Sequence, residues 1–296
     1  MGTLYLVRHG QASFGADDYD LLSPLGQQQA VRLGEYFKYK GVTFEAAMTG
    51  TLTRQRQTLA GICQGMGVAF DSEGLAGAST AETAKSAGEP ERSAGPPQAS
   101  SAPEGLEPAA QNLLEQVWTG DRGEASRESR PARPREAHEV ASVGAHLLWP
   151  GLNEYDSEAV ISAIHPYPLK KPDTPELYRH HFRLLKDGLA QWMAGVVSPR
   201  GMPRYTEFAA GVAGALEHIR SHHQGSVLLV SSGGPIATAV GQVLGTSPEA
   251  TIELNMRIRN SSVTEFSFSP KRHRLVTYNT LPHLDAPEYA DWVTYA

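Results

Sequence analysis

The sequence predicts an α/β fold: a three-layer sandwich in which a mostly parallel central sheet is covered by helices on both faces. Strand-like and helical segments alternate along most of the chain, which is typical of parallel strands joined by crossover helices. The segment "SVLLV" at residues 226–230 is apolar at four consecutive positions, as expected for a strand that is buried on both faces. With 296 residues, 40% of them hydrophobic, the chain has enough apolar material for such a core.

The first elements alternate strand and helix. We predict strands at residues 3–7 and 44–48 and helices at residues 23–40 and 52–66. Ser23 suits the N-cap of the first helix because its side-chain oxygen can accept a hydrogen bond from the first turn, and Pro24 suits the first helical position. Cys63, in the second helix, is the only cysteine, so no intrachain disulfide can form and we interpret it as a buried thiol.

A low-complexity segment then interrupts this pattern. Between Ala76 and Gly105 there is no Val, Ile, Leu, Met, Phe, Trp, Tyr or Cys, and such a composition cannot bury enough apolar surface to offset the entropy of ordering. We therefore predict one domain, residues 1–296, that contains a mostly disordered insert at residues 76–140. An amphipathic stretch inside the insert, Leu113 to Trp118, is either a transient helix or a docking segment.

The second half returns to alternating elements. We predict a strand at "HLLW" (146–149), helices at 174–195 and 204–223, the strand 226–230 with a helix after "SSGGP", and strands at 261–268 and 274–279. The helical part from about 157 to 222 is expected to form one wall of a pocket at the carboxyl ends of the strands. Within it, Tyr167, Arg179 and Arg183 are candidate substrate contacts, or alternatively residues of a solvated helix face.

Composition and charge exclude several classes of function. A net charge of -6 gives no basic surface for nucleic acid. No segment approaches the roughly 18 consecutive apolar residues of a membrane-spanning helix, and the N-terminus lacks the pattern of a secretory signal. We therefore expect a cytoplasmic protein that binds neither nucleic acid nor membrane.

Two strand ends carry residues suited to an anion. "RHG" at residues 8–10 follows the first strand, and the glycine-bearing turn after residue 230 opens a helix whose N–H groups and dipole favour negative charge. Arg54 and Arg56 lie at the start of the second predicted helix, where a cation opposes the dipole unless an anion binds there. Arginine offers a planar fork to phosphate oxygens; we assign Arg8 and Arg54 to that role and Arg56 to the surface.

Six stretches together resemble the histidine phosphatase superfamily, in its phosphoglycerate mutase-like branch. They are "LVRHG" (6–10), "LSPLGQQQA" (22–30), "LTRQRQT" (52–58), "GLNEYD" (151–156), "VSSGG" (230–234) and "NSSVTEF" (260–266). The matches run from residue 3 to about residue 280 and omit only the insert. No single stretch would identify the family, but the six stretches together are specific for it. The resemblance implies a phosphoglycerate mutase-like α/β sandwich.

The resemblance also implies a two-step phosphoryl transfer without metal or cofactor, as in the histidine acid phosphatases. His9 would be the nucleophile that becomes a phosphohistidine, and Arg8 and Arg54 would hold the phosphoryl oxygens together with Ser232 and Gly233. Glu154 would protonate the leaving oxygen, with Asp156 as the alternative acid. The histidine pairs at 180–181 and 222–223 point in different directions on their helices, so we predict no metal site.

One position departs from the family pattern. Ser232 stands where the family usually carries a second histidine, which donates a hydrogen bond to the transferring phosphoryl group. Three interpretations are open: activity is lower, another histidine such as His283 fills the gap, or the protein binds phosphate or regulates a partner without turnover. His165 is interpreted as a structural histidine.

A phosphatase is favoured over a phosphoglycerate mutase. The mutases follow "RHG" with a Glu-Ser and then a Trp-Asn pattern that helps to shape the phosphoglycerate pocket, whereas this chain carries Gln11 and Phe14. The expected partner is a small phosphorylated molecule, and assembly into a homodimer stays open.

Overall fold

A computed structural model describes residues 1–13, 20–69, 145–167, 169 and 174–295. Six strands form its sheet: β1 Gly2–Arg8, β2 Ala46–Thr49, β3 Ala145–Leu148, β4 Ser226–Ser231, β5 Val263–Ser269 and β6 Arg272–Thr280. Seven α-helices accompany them: α1 Pro24–Tyr39, α2 Thr53–Met66, α3 Ser157–Ile164, α4 Pro175–Met193, α5 Tyr205–His222, α6 Gly233–Leu244 and α7 Pro248–Met256. The predicted insert at 76–140 lies outside the described residues, so its prediction remains untested.

The strand order is β3-β2-β4-β1-β5-β6. The first four strands in this order are parallel, whereas β5 runs antiparallel to both β1 and β6. In the register, Leu4 lies beside Val227 of β4 and Phe266 of β5, which places β1 in the interior of the sheet. The predicted mostly parallel sheet is therefore confirmed, and its two antiparallel pairings, β1 with β5 and β5 with β6, lie toward one edge.

Helices cover both faces of the sheet. On one face α1 and α2 bury residues such as Leu33, Phe37 and Ile62 against the sheet. On the other face α5 and α6 do the same with residues such as Leu216 and Ile236. Helices α3, α4 and α7 share a further cluster built around Trp192. The three-layer arrangement follows from these two apolar faces.

The local start signals of several helices are visible in their capping contacts. Ser23 caps α1 by accepting from the Gly26 N–H, and Pro24 is the first helical residue, as predicted. Ser247 and Pro248 begin α7 in the same way, although the sequence reasoning identified no separate helix there. Strand β5 begins two residues later than predicted because Ser261 adopts a left-handed φ of 55° and turns the chain.

Two further properties of the described residues concern function. Cys63 is fully buried, and burial raises the pKa of its thiol to about 11, so it is an inert core residue. Within the described part of the chain, no helix combines the length and the apolar character that crossing a membrane requires.

Candidate active site

The carboxyl ends of four parallel strands bring the predicted site residues to one edge of the sheet. Arg8 is the last residue of β1 and lies in register with Ser231 of β4, and the His9 N–H donates to the Ser231 carbonyl at 2.9 Å. Arg54 enters in the first turn of α2, directly after β2, and Glu154 follows β3. Because the four strands are parallel and adjacent, their ends meet at the same edge.

His9 is held as a neutral ring with its Nε2 lone pair available. The ring is 4% exposed, and its Nδ1 lies 2.7 Å from the Gly10 carbonyl, which can only accept and so requires the proton on Nδ1. The Nε–H of Arg54 points at Nε2 at 3.2 Å, which also requires a lone pair there. Burial, and then the charges of Arg8 and Arg54, lower the pKa of His9 well below its ordinary value.

Gly10 lets the segment after His9 lie against α1. A Cβ at this position would lie 2.4 Å from the Gly26 carbonyl oxygen, a separation that no side chain tolerates. The Gly10 N–H donates to Thr58 Oγ1 at 3.1 Å, and the Thr58 hydroxyl donates to the Arg54 carbonyl at 2.7 Å. Thr58 therefore links the segment after His9 to the turn that carries Arg54.

The two predicted phosphate arginines are buried and held in position. Arg8 donates from Nη1 to the Ile258 carbonyl at 2.6 Å. Arg54 donates from Nη1 to Asp20 Oδ1 at 2.8 Å, while Asp20 Oδ2 accepts the Thr53 N–H at the start of α2 at 2.7 Å. One carboxylate thus caps the helix and orients its arginine. The positive charges of Arg8 and Arg54 both act on the His9 ring.

Glu154 combines a fixed position with a perturbed pKa. Its carboxyl oxygens lie 3.0 and 3.2 Å from the Gly234 N–H in the first turn of α6. Loss of solvation raises the pKa of this half-buried carboxyl, although the Gly234 hydrogen bond and then the charges of Arg8 and Arg54 oppose the shift. A protonated carboxyl therefore persists above the ordinary range of glutamic acid.

Asp156, the alternative acid, has a different role in the structure. Its side chain accepts from the N–H groups of Glu158 and Ala159 at 2.9 and 3.0 Å and caps α3, and it is exposed. This arrangement supports Glu154 as the proton donor.

Ser232 is fully buried and is approached by an amide instead of a histidine. Gln55 donates from Nε2 to Ser232 Oγ and to the Leu152 carbonyl, each at 2.9 Å. His283 is buried and its Nε2 lies 2.9 Å from Ser261 Oγ, so this ring nitrogen is engaged by Ser261 and not by Ser232. Gly233 is buried and opens α6, where its backbone lies in the positive end of the helix dipole.

Several sequence predictions fall outside this site. Tyr167 is 73% exposed, Arg179 is exposed and pairs with Glu176, and Arg183 is exposed, so these three belong to a solvated face. The histidine pairs at 180–181 and 222–223 lie on the surface, exposed or half-buried, as predicted. Among the residues described, no group of three or more His, Cys, Asp or Glu side chains could hold a metal ion.

The sequence reasoning missed three residues of the site: Asp20, Gln55 and Thr58. The last two belong to the "LTRQRQT" stretch, and their position one and four residues after Arg54 places them on the turns that face β1 and β4. No sequence pattern singles out Asp20 as a site residue, because "ADDYD" contains three aspartates and no spacing distinguishes one from the others.

Comparison with known proteins gives one family. A family model described as the histidine phosphatase superfamily (branch 1) matches residues 4–75 and 174–281, more than half of the chain. A curated relative, 2,3-bisphosphoglycerate-dependent phosphoglycerate mutase 1 of Nitrosomonas europaea, is 38% identical over 71 residues. That match covers 22% of this chain and only 30% of the relative.

Solved structures share the fold at low sequence identity. Bacillus stearothermophilus YhfR superposes with a TM-score of 0.52 at 15% identity, covering 96% of this chain and 99% of its own. A mycobacterial glucosyl-3-phosphoglycerate phosphatase superposes with a TM-score of 0.51 at 16% identity, covering 95% and 99%. At these identities the likeness concerns the fold alone.

Proposed function

The chain belongs to the histidine phosphatase superfamily, and from that premise we propose that it hydrolyses a phosphomonoester through a phosphohistidine on His9. The substrate would be a small phosphorylated molecule. Structural neighbours include phosphatases, among them a phosphoserine phosphatase of Entamoeba histolytica in complex with phosphoserine (TM-score 0.50, 15% identity, covering 96% of this chain and 100% of its own). This likeness is one of fold and is compatible with the proposed hydrolysis, and it names no substrate for this chain.

In the first step, the His9 Nε2 lone pair attacks phosphorus as the bond from phosphorus to the leaving oxygen breaks. The proton of Glu154 goes to that oxygen, so the leaving group departs as a neutral alcohol. Arg8 and Arg54 hold the remaining phosphoryl oxygens and stabilise the charge that builds on them. The Arg54 Nε–H, which points at the His9 lone pair without substrate, is already in place to move onto a phosphoryl oxygen.

In the second step, water attacks the phosphohistidine. The Glu154 carboxylate accepts a proton from that water, the nitrogen–phosphorus bond breaks, and neutral His9 and inorganic phosphate result. The same carboxyl thus serves first as acid and then as base. Its half-buried position beside Gly234 allows either protonation state, because desolvation favours the neutral form and the N–H and arginines favour the charged one.

The observation that carries this proposal is the state of the His9 ring. The Gly10 carbonyl and the Arg54 Nε–H require the same tautomer, with the lone pair on Nε2 facing the guanidinium that would bind the phosphoryl group. A structural histidine has no need of two buried arginines, which lower its pKa.

Hydrolysis of p-nitrophenyl phosphate by the wild type and by His9→Ala, from pH 4 to 8, tests the proposal. We expect the wild type to release phosphate and His9→Ala to show no rate above buffer, because no other buried imidazole lies among these site residues. Added EDTA should leave the wild-type rate unchanged if the reaction is independent of metal. A His9→Ala variant that keeps the wild-type rate would contradict the phosphohistidine route.

A second candidate is a phosphate-binding or regulatory module with little turnover. Ser232 favours this candidate, because a serine hydroxyl, unlike a protonated histidine, places no positive charge beside a phosphoryl oxygen. This alternative predicts that the wild type binds inorganic phosphate but does not hydrolyse aryl, sugar or nucleotide phosphates.

A phosphoglycerate mutase is a further alternative. The partial match to the mutase of Nitrosomonas europaea keeps this alternative open, whereas Gln11 disfavours it.

A further inference from the structure

We propose that Gln55 is a positioning residue that fixes the Ser232 hydroxyl so that its proton points at the transferring phosphoryl group. The Gln55–Ser232 pair would then take the part played elsewhere in the family by a second histidine. This inference rests on the proposed function, because it concerns the same phosphoryl group.

The direction of the hydrogen bond follows from the partners of the Gln55 amide. Leu152 presents a carbonyl oxygen, which can only accept, so the nitrogen of the amide must face it. The same nitrogen lies 2.9 Å from Ser232 Oγ and has one proton left for it. Ser232 Oγ is therefore the acceptor in this bond, and its own proton is directed elsewhere.

Ser232 lies at the edge of the sheet at which the candidate site lies. Ser232 follows Ser231, whose carbonyl accepts the His9 N–H, and it precedes the first turn of α6. Among the described residues no acceptor is recorded for the Ser232 hydroxyl proton. A phosphoryl oxygen held by Arg8 and Arg54 at the same edge would supply one.

Burial makes this anchoring effective. Both side chains are fully buried, so neither exchanges its partners with bulk water. A serine hydroxyl on its own rotates freely about its bond to carbon, whereas an accepted hydrogen bond from a fixed amide restricts where its proton can point. Gln55 also holds the Leu152 carbonyl, two residues before Glu154, so one amide sets the positions of both the hydroxyl and the acid loop.

The oxygen of the Gln55 amide is buried at a cost in stability. Gln55 Oε1 is buried without a hydrogen-bond partner among the described residues, and a Cβ on Gly50 would lie 2.1 Å from it. A buried unsatisfied acceptor lowers stability, and an apolar side chain of similar shape would avoid that cost. The amide is therefore better explained by what its nitrogen does than by packing.

A double-mutant cycle on kcat/KM with p-nitrophenyl phosphate tests the proposal. Ser232→Ala removes the donor and should lower kcat/KM by about tenfold or more, as for a hydrogen bond to a charged group. Gln55→Met removes the anchor with little change in volume and should lower it by a smaller factor. In the Ser232→Ala background, Gln55→Met should cause a clearly smaller loss than with Ser232 present, because the hydroxyl that it positions is gone and only its bond to the Leu152 carbonyl is left to lose.

Gln57→Met is the matched control. Gln57 lies on the same helix, and its amide oxygen accepts from the Leu22 N–H, away from Ser232. Its effect on kcat/KM should be the same with Ser232 or with alanine at that position. The thermal unfolding midpoint of each variant is also measured. Kinetic constants are compared only among variants that are folded at the assay temperature.

Two results separate failure of this inference from failure of the proposed function. If the wild type is active and Gln55→Met lowers kcat/KM equally in both backgrounds, Gln55 acts only through Leu152 and the inference is overturned while the phosphatase stands. If the wild type is inactive, the proposed function fails, and the same cycle is measured on binding of orthovanadate. Additive losses there, or no orthovanadate binding by the wild type, overturn the inference as well.

Discussion

At the residue scale, burial acts on His9 and Glu154 with opposite effects on pKa but the same chemical result. It lowers the pKa of the imidazole and raises that of the carboxyl, so both shifts favour the neutral form of the group. The first step needs that combination, a neutral nucleophile and a protonated donor. Its rate should rise with pH through the pKa of His9 and fall with pH through the pKa of Glu154, which gives a bell-shaped dependence of kcat/KM on pH.

Glu154→Gln should therefore affect substrates according to their leaving groups. With an alkyl phosphate, whose leaving oxygen must be protonated, we expect kcat/KM to fall by about 10²- to 10⁴-fold. With p-nitrophenyl phosphate, whose phenolate leaves without a proton, the loss should be far smaller. Steady-state rates on both substrates measure the difference, and Asp156→Asn serves as control because Asp156 only caps α3. Equal losses on both substrates would assign the proton donor to another group.

At the element scale, helix α2 carries much of the site, and its position depends on close packing against α1. A Cβ on Gly65 would lie 2.0 Å from the Val31 carbonyl oxygen, and one on Gly34 would lie 2.1 Å from the Ile62 carbonyl oxygen. The two helices therefore touch through their backbones. The same helix presents Arg54 from its first turn, so the helix contact and the phosphate site share one rigid element.

Gly65→Ala should both destabilise the protein and lower its activity. The added methyl group has only backbone to meet, so we expect a loss of about 1–3 kcal/mol in the free energy of unfolding. Displacement of α2 should also lower kcat/KM. Urea unfolding and p-nitrophenyl phosphate hydrolysis measure the two effects. Gln64→Ala, on the exposed side of the same helix, should change neither by much; a stable and fully active Gly65→Ala protein would contradict the argument.

The sequence predicted those parts of the fold and site that are coded locally. Strand and helix periods, the Ser23–Pro24 start and the residues at strand ends all lie in short segments. A Ser-Pro pair of the same kind at 247–248 marks the start of α7. The contact between Gln55 and Ser232 could not be read in this way, because it joins residues 177 positions apart through packing that no local pattern encodes.

At the scale of the whole molecule, burial acts on two histidines outside the candidate site, the buried His283 and the half-buried His273. Burial lowers the pKa of His283 to about 3 and that of His273 to about 4, with smaller contributions from Arg32 and Arg220 respectively. In the unfolded chain these rings take up protons near their ordinary pKa of 6.5. Between pH 6.5 and the lower pKa of the folded state, the unfolded state binds more protons than the folded state. The stability that these neutral rings contribute is therefore fully present above about pH 6.5 and is lost as the pH falls.

His283→Gln should reduce this dependence on pH. Each neutral buried histidine contributes a slope of about 1.4 kcal/mol per pH unit in that interval, and glutamine can still bond to Ser261 without titrating. Urea unfolding at pH 7 and pH 5 should show a smaller drop for His283→Gln than for the wild type. His180→Gln, at an exposed position, should keep the wild-type drop. A drop as large in His283→Gln as in the wild type would show that this ring is not the source.

The interior position of β1 has a consequence for how the protein is made. Its two neighbours in the sheet, β4 and β5, begin roughly 220 residues or more after it, at Ser226 and Val263. At a translation rate of about 5–20 residues per second, this apolar strand waits about ten seconds or longer before either neighbour has been synthesised. During that interval "LYLV" has no strand to pair with, and a chaperone that shields it has the time to bind. The candidate site, which needs the end of β4, is completed only when the last third of the chain has left the ribosome.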